Sequence, residues 1–108
     1  MKLADMITQI EARKAEIDAL RPIDPTQEQR ILQKFRLDWN YHSNALEGNT
    51  LTLGETRAFL LHGITAQGKP FRDYLDIKGH QAAIEFLVEF VQAKQPLTEA
   101  ELRELHRI

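Results

Sequence analysis

The sequence lacks cysteine altogether, carries no strong excess of charge and contains no long apolar run. Without a thiol, disulfide bridges and thiolate metal sites are excluded. The 14 Lys and Arg residues against 16 Asp and Glu give a formal net charge of −2, which argues against a nucleic-acid-binding domain, because that class is usually strongly basic. No apolar stretch approaches the ~20 residues that a membrane span needs. The N-terminus also has no uninterrupted apolar h-region of a secretory signal, so we expect a cytoplasmic protein.

Catalytic and metal-binding groups are equally hard to find. The four histidines are scattered without the carboxylate spacing of a metal site, so we predict no metal ligands in the chain. His80 and His106 lie among apolar neighbours and are interpreted as structural. No pair of a nucleophile and a base is visible either. We therefore predict no catalytic residue in this chain.

Helical periodicity dominates the remaining pattern, because apolar residues recur at spacings of three and four along most of the chain. Capping boxes open the second, third and last helices at Asp24, Thr52 and Thr98. A long helix from about Asp73 to Lys94 is apolar around most of its circumference and is expected to be central and buried. Breakers stand between the predicted helices, at Pro22, Pro25, Gly48, Gly63, Gly68 and Pro70. With a length of 108 residues, the prediction is one all-α domain, a bundle of about five helices.

The second helix carries a carboxylate at an unfavourable place. Glu47 stands directly before the helix stop Gly48, at the negative end of the helix dipole, where an acid costs roughly 0.3–1 kcal/mol. It therefore needs a positive partner or a network of donors. That partner could be Arg57 or Arg72, or a group outside this chain.

The surroundings of Glu47 on the helix are also unusual. A narrow strip of helix surface contains Glu47 together with Arg36, Asn40 and Ser43. An apolar stripe runs beside this strip, formed by Phe35, Trp39 and Leu46, so the strip is expected at the rim of the buried face. Ser43 lies one turn before Glu47, and its hydroxyl could steady the carboxylate. On the residues alone, a solvated glutamate followed by a plain Gly48–Asn49 C-cap fits the same pattern.

Several stretches, in order, resemble one known family. SNALEGN at residues 43–49 resembles the inhibitory motif S/T-x-x-x-E-G/N of Fic-family proteins, and NALEGNTLTLGET is similar to the segment in which their inhibitory helix runs on into the next helix. GKP at 68–70 followed by DIKGHQAA at 76–83 resembles the next stretch of the family. LHR at 105–107 resembles the start of the Fic core. The resemblance covers roughly residues 30–108.

The resemblance implies the N-terminal part of a Fic fold, divided into three segments. Residues 1–23 would form an N-terminal helix, and residues 24–63 the inhibitory helix with the short helix after it. Residues 64–108 would be the start of the Fic core, truncated. The last predicted helix has no stop signal before Ile108, so we expect that the chain is cut through an element.

The family's activity supplies a role for the motif. Fic proteins typically transfer AMP from ATP to a hydroxyl of a target protein, through a signature that resembles H-P-F-x-x-G-N-G-R. That signature is absent from this sequence, so the chain should be inactive alone, and ATP and Mg²⁺ are implied only for a full-length parent. The resemblance makes Ser43, Glu47, Gly48 and Asn49 an inhibitory site. Glu47 would pair with the second Arg of the missing signature, near the ATP γ-phosphate, and block productive ATP binding.

The first interpretation is therefore the autoinhibitory and scaffolding segment of a class II Fic protein that transfers AMP. Its partners would be the rest of the Fic core or another Fic chain, and the target protein of the parent, with no nucleic acid or membrane partner. Apolar faces left exposed are also compatible with a homo-oligomer. Two alternatives stay open: a stand-alone, antitoxin-like inhibitor of a separate Fic enzyme, and a helical interaction module unrelated to Fic.

Overall fold

A computed structural model describes residues 2–108, which form five α-helices and no strand. The helices are α1 (Leu3–Ala19), α2 (Pro25–Leu46), α3 (Leu53–His62), α4 (Phe71–Gln92) and α5 (Glu99–Arg107). The predicted all-α architecture is thereby confirmed. α2 ends two residues before the predicted stop, and α4 begins and ends two residues earlier than predicted, which is the usual scatter of helix ends. By their contacts the residues divide into two units, one ending at Leu32 and one spanning Gln33–Ile108. The predicted single domain and its three segments stay predictions.

The first unit contains α1 and the beginning of α2. α1 has no buried residue, although its apolar side chains recur at helical spacing as predicted. The Asp24 carboxylate accepts a hydrogen bond from the Thr26 backbone amide at 2.9 Å, which confirms Asp24 as a capping residue of α2. Arg21 forms an ion pair with Glu28 at 2.9 Å. Both side chains are partly exposed, so this pair adds little to stability.

The hydrophobic core lies in the second unit, between α3, α4 and the segment that joins α2 to α3. Its members are Leu51, Tyr74 and Ile77, with Phe59 and Leu60 packed against them. The Phe59 and Tyr74 rings meet edge to face with their centroids 4.9 Å apart. The Tyr74 hydroxyl donates to the Ala66 carbonyl at 3.0 Å and accepts from the Ala66 amide, which fastens the loop between α3 and α4 to the core.

α4 is buried along one side only, which corrects the expectation of a helix buried all round. α3 and α5 both pack against it, and Tyr74, Ile77 and Ile84 are buried. Leu75, on another side of α4, is 52% exposed, and Val91 near the end of the helix is 64% exposed. The neighbouring elements in the described part of the chain cover too little of its circumference to bury the rest. No helix among residues 2–108 is long and apolar enough to cross a membrane, and the cytoplasmic location stays a prediction.

α2 does not bury the apolar face that its sequence pattern predicts. Phe35, Trp39 and Leu46 are 61%, 49% and 88% exposed, whereas Asn40 is 2% exposed. The Asn40 side-chain amide donates to the Ile77 carbonyl of α4 at 3.0 Å, and this hydrogen bond turns the polar strip toward α4. The prediction that the strip lies at the rim of the buried face is therefore wrong for Asn40, which lies at its centre.

The core assignment can be tested with two aliphatic truncations. Ile77→Ala should lower the free energy of unfolding by ~2–5 kcal/mol, because Ile77 is 1% exposed and its truncation leaves a cavity. Leu46→Ala is the matched control at an exposed site and should change the free energy by less than about 0.5 kcal/mol. Urea unfolding followed by circular dichroism measures both. Equal losses for the two variants would contradict the assigned core.

Candidate functional site

The C-terminal end of α2 is fixed by its own backbone. The Gly48 amide donates to the Ala45 carbonyl at 3.1 Å, and the Asn49 amide donates to the Asn44 carbonyl at 2.9 Å. These two bonds form a Schellman motif, which needs a residue with positive φ at its turn. Gly48 supplies it with φ +95°, a conformation that strains any residue with a side chain. Glu47 directly precedes this glycine, so the backbone that carries its carboxylate is fixed in one direction.

The two residues after the glycine attach this turn to α4. The Asn49 side-chain amide donates to the Asp73 carbonyl at 2.9 Å, and its Oδ1 accepts from the Leu51 amide at 3.0 Å. The Thr50 amide donates to Asp73 Oδ2 at 3.0 Å, and the Thr50 hydroxyl donates to the same oxygen. The turn after Glu47 is thus held to the first turn of α4 by three hydrogen bonds.

The charge of the Asp73 carboxylate is stabilised by hydrogen bonds and positive charges from neighbouring residues. The hydrogen bonds from the Thr50 hydroxyl and the Thr50 amide lower the pKa of Asp73, and the charges of Lys69 and Arg72 act in the same direction. Lys69 also donates to the Thr50 carbonyl at 2.9 Å and lies 3.5 Å from Glu55 Oε1. Asp73 is therefore ionised at neutral pH and serves as the acceptor that holds the turn.

A second attachment lies two turns earlier on α2. Besides donating to the Ile77 carbonyl, Asn40 accepts through its carbonyl and its Oδ1, both at 2.9 Å, from the Asn44 side-chain amide. The Asn44 carbonyl in turn accepts from the Glu47 amide at 3.1 Å. A continuous set of hydrogen bonds therefore leads from the backbone of α4 to the backbone of Glu47.

Beside the turn, α2 and α4 border an open groove with a volume of about 470 Å³. Its polar lining includes Asn44, Glu47, Arg72, Asp76 and His80. Arg72, one of the two arginines considered as a partner of Glu47, thus borders the same groove. Among the ion pairs formed within residues 2–108, however, none involves Glu47. Its exposed carboxylate is open to a cation from outside the described residues.

His80 sits on the groove wall and packs edge to face against Trp39, with ring centroids 5.7 Å apart. Its Nδ1 is buried and has no hydrogen-bond partner within the part of the chain that the structure describes. Burial lowers the pKa of His80, so the ring is neutral at physiological pH. This packing agrees with the structural role interpreted from the sequence.

The structure brings the four predicted site residues together at the end of α2. Ser43 and Asn49 are half-buried, and Glu47 and Gly48 are exposed. The expected hydrogen bond between the Ser43 hydroxyl and the Glu47 carboxylate is not formed within residues 2–108. Glu47 already belongs to the turn, and the i, i+4 geometry of a helix does not extend to it. Arg57, the other arginine considered as a partner, is exposed on α3.

Sequence reasoning missed two parts of this arrangement. Asp73 stands in the first turn of α4, where an acid is favourable for any helix, so nothing marked it as the partner of Thr50. Asn40 was placed on the correct strip, seven residues before Glu47, and that shared strip was the available signal. Its burial depends on a carbonyl 37 residues away, which no local pattern reveals.

Acid unfolding tests the role of Asp73. A carboxyl whose pKa is lower in the folded state stabilises the fold at pH values above its unfolded pKa of about 4, and this stabilisation is lost as pH falls through the lowered folded pKa. Asp73→Asn should therefore be less stable than wild type at pH 7, and the difference should shrink below about pH 4. Asp76→Asn is the control, because it removes the same charge from the same helix but leaves the contacts with Thr50 intact. Urea titrations at several pH values measure the difference, and a constant gap between wild type and Asp73→Asn would contradict the assigned role.

Comparisons with known proteins identify relatives of the chain. No protein-family model matches the chain. Protein adenylyltransferase fic-1 of Caenorhabditis elegans is 35% identical over 80 residues, which are 72% of this chain and 16% of that protein. Protein adenylyltransferase Fic of Nematostella vectensis is 26% identical over 104 residues, which are 95% of this chain and 24% of that protein. The chain thus spans about a fifth of the length of these curated relatives.

A solved structure gives the same family. It is described as a Fic domain containing signaling protein from Bacteroides thetaiotaomicron, and it superposes with a TM-score of 0.83 at 39% identity. The match covers 91% of this chain and 37% of that one. Since sequence and fold agree over most of its length, the chain belongs to the Fic family.

Proposed function

We propose that this chain is the autoinhibitory and scaffolding segment of a Fic protein that transfers AMP from ATP to hydroxyl side chains of target proteins. In this proposal Ser43, Glu47, Gly48 and Asn49 form the inhibitory site, and the Glu47 carboxylate is the inhibitory group. The observation that carries the proposal is the state of Glu47. It is an exposed carboxylate on a backbone fixed by a Schellman motif, and within residues 2–108 it has no ion-pair partner.

The names of the relatives support the transferred group, because two of them are described as protein adenylyltransferases. The family resemblance supplies the missing partner of Glu47, an arginine of the catalytic signature in the parent protein. A carboxylate and a guanidinium form a charge-assisted hydrogen bond with well-defined geometry. An arginine engaged by Glu47 is not free to hold the ATP γ-phosphate.

Glu47 also acts on ATP directly in this scheme. Its negative charge would stand next to the negatively charged γ-phosphate, and two like charges at close range repel each other. Productive binding of ATP with Mg²⁺ therefore requires that Glu47 move away. In this proposal the catalytic part of the parent protein binds ATP and Mg²⁺. This chain supplies only the Glu47 carboxylate that blocks their binding.

The scaffolding role is supported by apolar surface that residues 2–108 leave uncovered. Phe35 and Trp39 of α2 and Val91 of α4 are each about half exposed or more. Large exposed apolar side chains grouped on helix faces mark sites of protein contact. We propose that the rest of the Fic core, or another Fic chain in a homo-oligomer, covers these faces.

The proposal predicts the effect of removing the carboxylate in the complete Fic protein. Glu47→Gly should raise self-modification with labelled ATP by about tenfold to a hundredfold, the range expected when one charge-assisted contact is lost. The variant should melt at the wild-type temperature, because Glu47 is exposed and makes no core contact. Ser43→Ala should change the labelling rate little, since the Ser43 hydroxyl makes no hydrogen bond with the Glu47 carboxylate among the described residues.

Leu46→Ala is the matched control for this experiment. It truncates the adjacent side chain, which is 88% exposed, and leaves the carboxylate in place. It should therefore label at the wild-type rate and melt normally. If Glu47→Gly melts normally but labels no faster than wild type, Glu47 is only a solvated residue at a helix end and the proposal fails.

A further inference from the structure

Two asparagine side chains on either side of Glu47 bind the backbone of α4. The Asn40 amide donates to the Ile77 carbonyl at 3.0 Å, and the Asn49 amide donates to the Asp73 carbonyl at 2.9 Å. These two carbonyls are four residues apart, which is about one turn of α4. Glu47 lies between the two asparagines along the chain, so its segment is attached at both ends to the same helix.

We infer that Asn40 is a positioning residue for Glu47. It fixes the rotation and the lengthwise register of α2 on α4, and thereby places the Glu47 carboxylate where it blocks ATP. This inference rests on the proposed function and names a residue that regulates the same site. Asn40 itself touches neither the nucleotide nor Glu47; it acts through the helix that both residues share.

The hydrogen bond from Asn40 to the Ile77 carbonyl is not needed to satisfy that carbonyl, so its role is to position α2. Ile77 lies inside α4, so its carbonyl already has a helical hydrogen-bond donor, and the Asn40 amide uses the second lone pair. An apolar side chain in place of Asn40 would leave no unsatisfied carbonyl on α4. The substitution would instead remove the preference for one register of α2 on α4. Apolar packing does not select one register, whereas a buried asparagine in a helix interface does.

The connection from Asn40 to Glu47 is continuous. The Asn44 side-chain amide donates to Asn40 Oδ1 at 2.9 Å, and the Asn44 carbonyl accepts from the amides of Glu47 and Asn49. Asn44 therefore joins the buried anchor to the turn that carries the carboxylate. If the Asn40 anchor is lost, the remaining hydrogen bonds to α4 are those of Asn49 and Thr50 at the end of α2, and the helix can rotate about that point. A rotation moves Glu47 across the groove that it lines.

The test compares two buried polar residues in the complete Fic protein. Asn40→Leu keeps the size of the side chain but removes the donor to α4. The matched control is Thr56→Val, because Thr56 is 1% exposed and its hydroxyl also donates to a backbone carbonyl, that of the α3 N-cap residue Thr52, at 2.9 Å. Asn40→Leu should raise self-modification with labelled ATP by roughly threefold to tenfold, the factor that corresponds to one neutral hydrogen bond. Thr56→Val should label at the wild-type rate.

A double variant separates positioning from general loosening. Because Asn40 acts through Glu47, Asn40→Leu combined with Glu47→Gly should label no faster than Glu47→Gly alone. A further increase in the double variant would overturn the inference, and so would an equal increase in Thr56→Val. If Asn40→Leu fails to fold, Asn40→Ala replaces it with the same expectation, since truncation also removes the donor.

The inference and the proposed function fail in different ways. If Glu47→Gly labels faster while Asn40→Leu and Asn40→Ala label like wild type, the inference is overturned and the proposed function stands. If Glu47→Gly itself labels no faster than wild type, both are overturned. An increase in Asn40→Leu that disappears in the Glu47→Gly background supports both.

Discussion

The hydrogen bond from the Asn40 amide to the Ile77 carbonyl determines which side of α2 faces α4. With Asn40 buried at 2% exposure, the aromatic residues Phe35 and Trp39 are left partly exposed. The polar strip therefore contacts α4 through Asn40, while Trp39 of the apolar stripe packs against His80 of the same helix. The same orientation brings Asn44 and Glu47 to the border of the groove beside α4. The place of the proposed inhibitory carboxylate thus depends on this buried amide together with the hydrogen bonds of Asn49 and Thr50 to α4.

Two carboxylates near the turn that follows α2, those of Asp73 and Glu47, have different roles. Asp73 accepts from the hydroxyl and the amide of Thr50, and these bonds lower its pKa and fasten the turn. Glu47, three residues before Thr50, has no ion-pair partner among residues 2–108. An acid at the end of a helix is unfavourable for the helix itself. A carboxylate kept there on a rigid backbone is well suited to receive a cation from outside residues 2–108.

Local sequence signals predicted the parts of the fold that depend on neighbours in sequence. The capping box of Thr52 and Glu55 and the left-handed glycines at 48 and 63 were correctly placed, because caps and turns are decided by a few adjacent residues. The four proposed site residues were identified through the family motif in the same region, and their role stays a prediction.

The orientation of α2 and the role of Asp73 could not be predicted in this way. Periodicity correctly found the apolar stripe of Phe35, Trp39 and Leu46, but a stripe is buried only if a partner element covers it. The contacts of Asn40 with Ile77 and of Thr50 with Asp73 join residues 37 and 23 positions apart. A single sequence gives no indication of which polar residue will find such a distant partner.

A crystal structure of the complete Fic protein without nucleotide tests the central claim most directly. The account predicts that a Glu47 carboxylate oxygen lies within about 4 Å of an arginine guanidinium of the catalytic loop, the distance of an ion pair. It also predicts that the Asn40 amide still contacts the Ile77 carbonyl in that structure. A Glu47 side chain directed into solvent, with the catalytic arginine engaged elsewhere, would contradict the account.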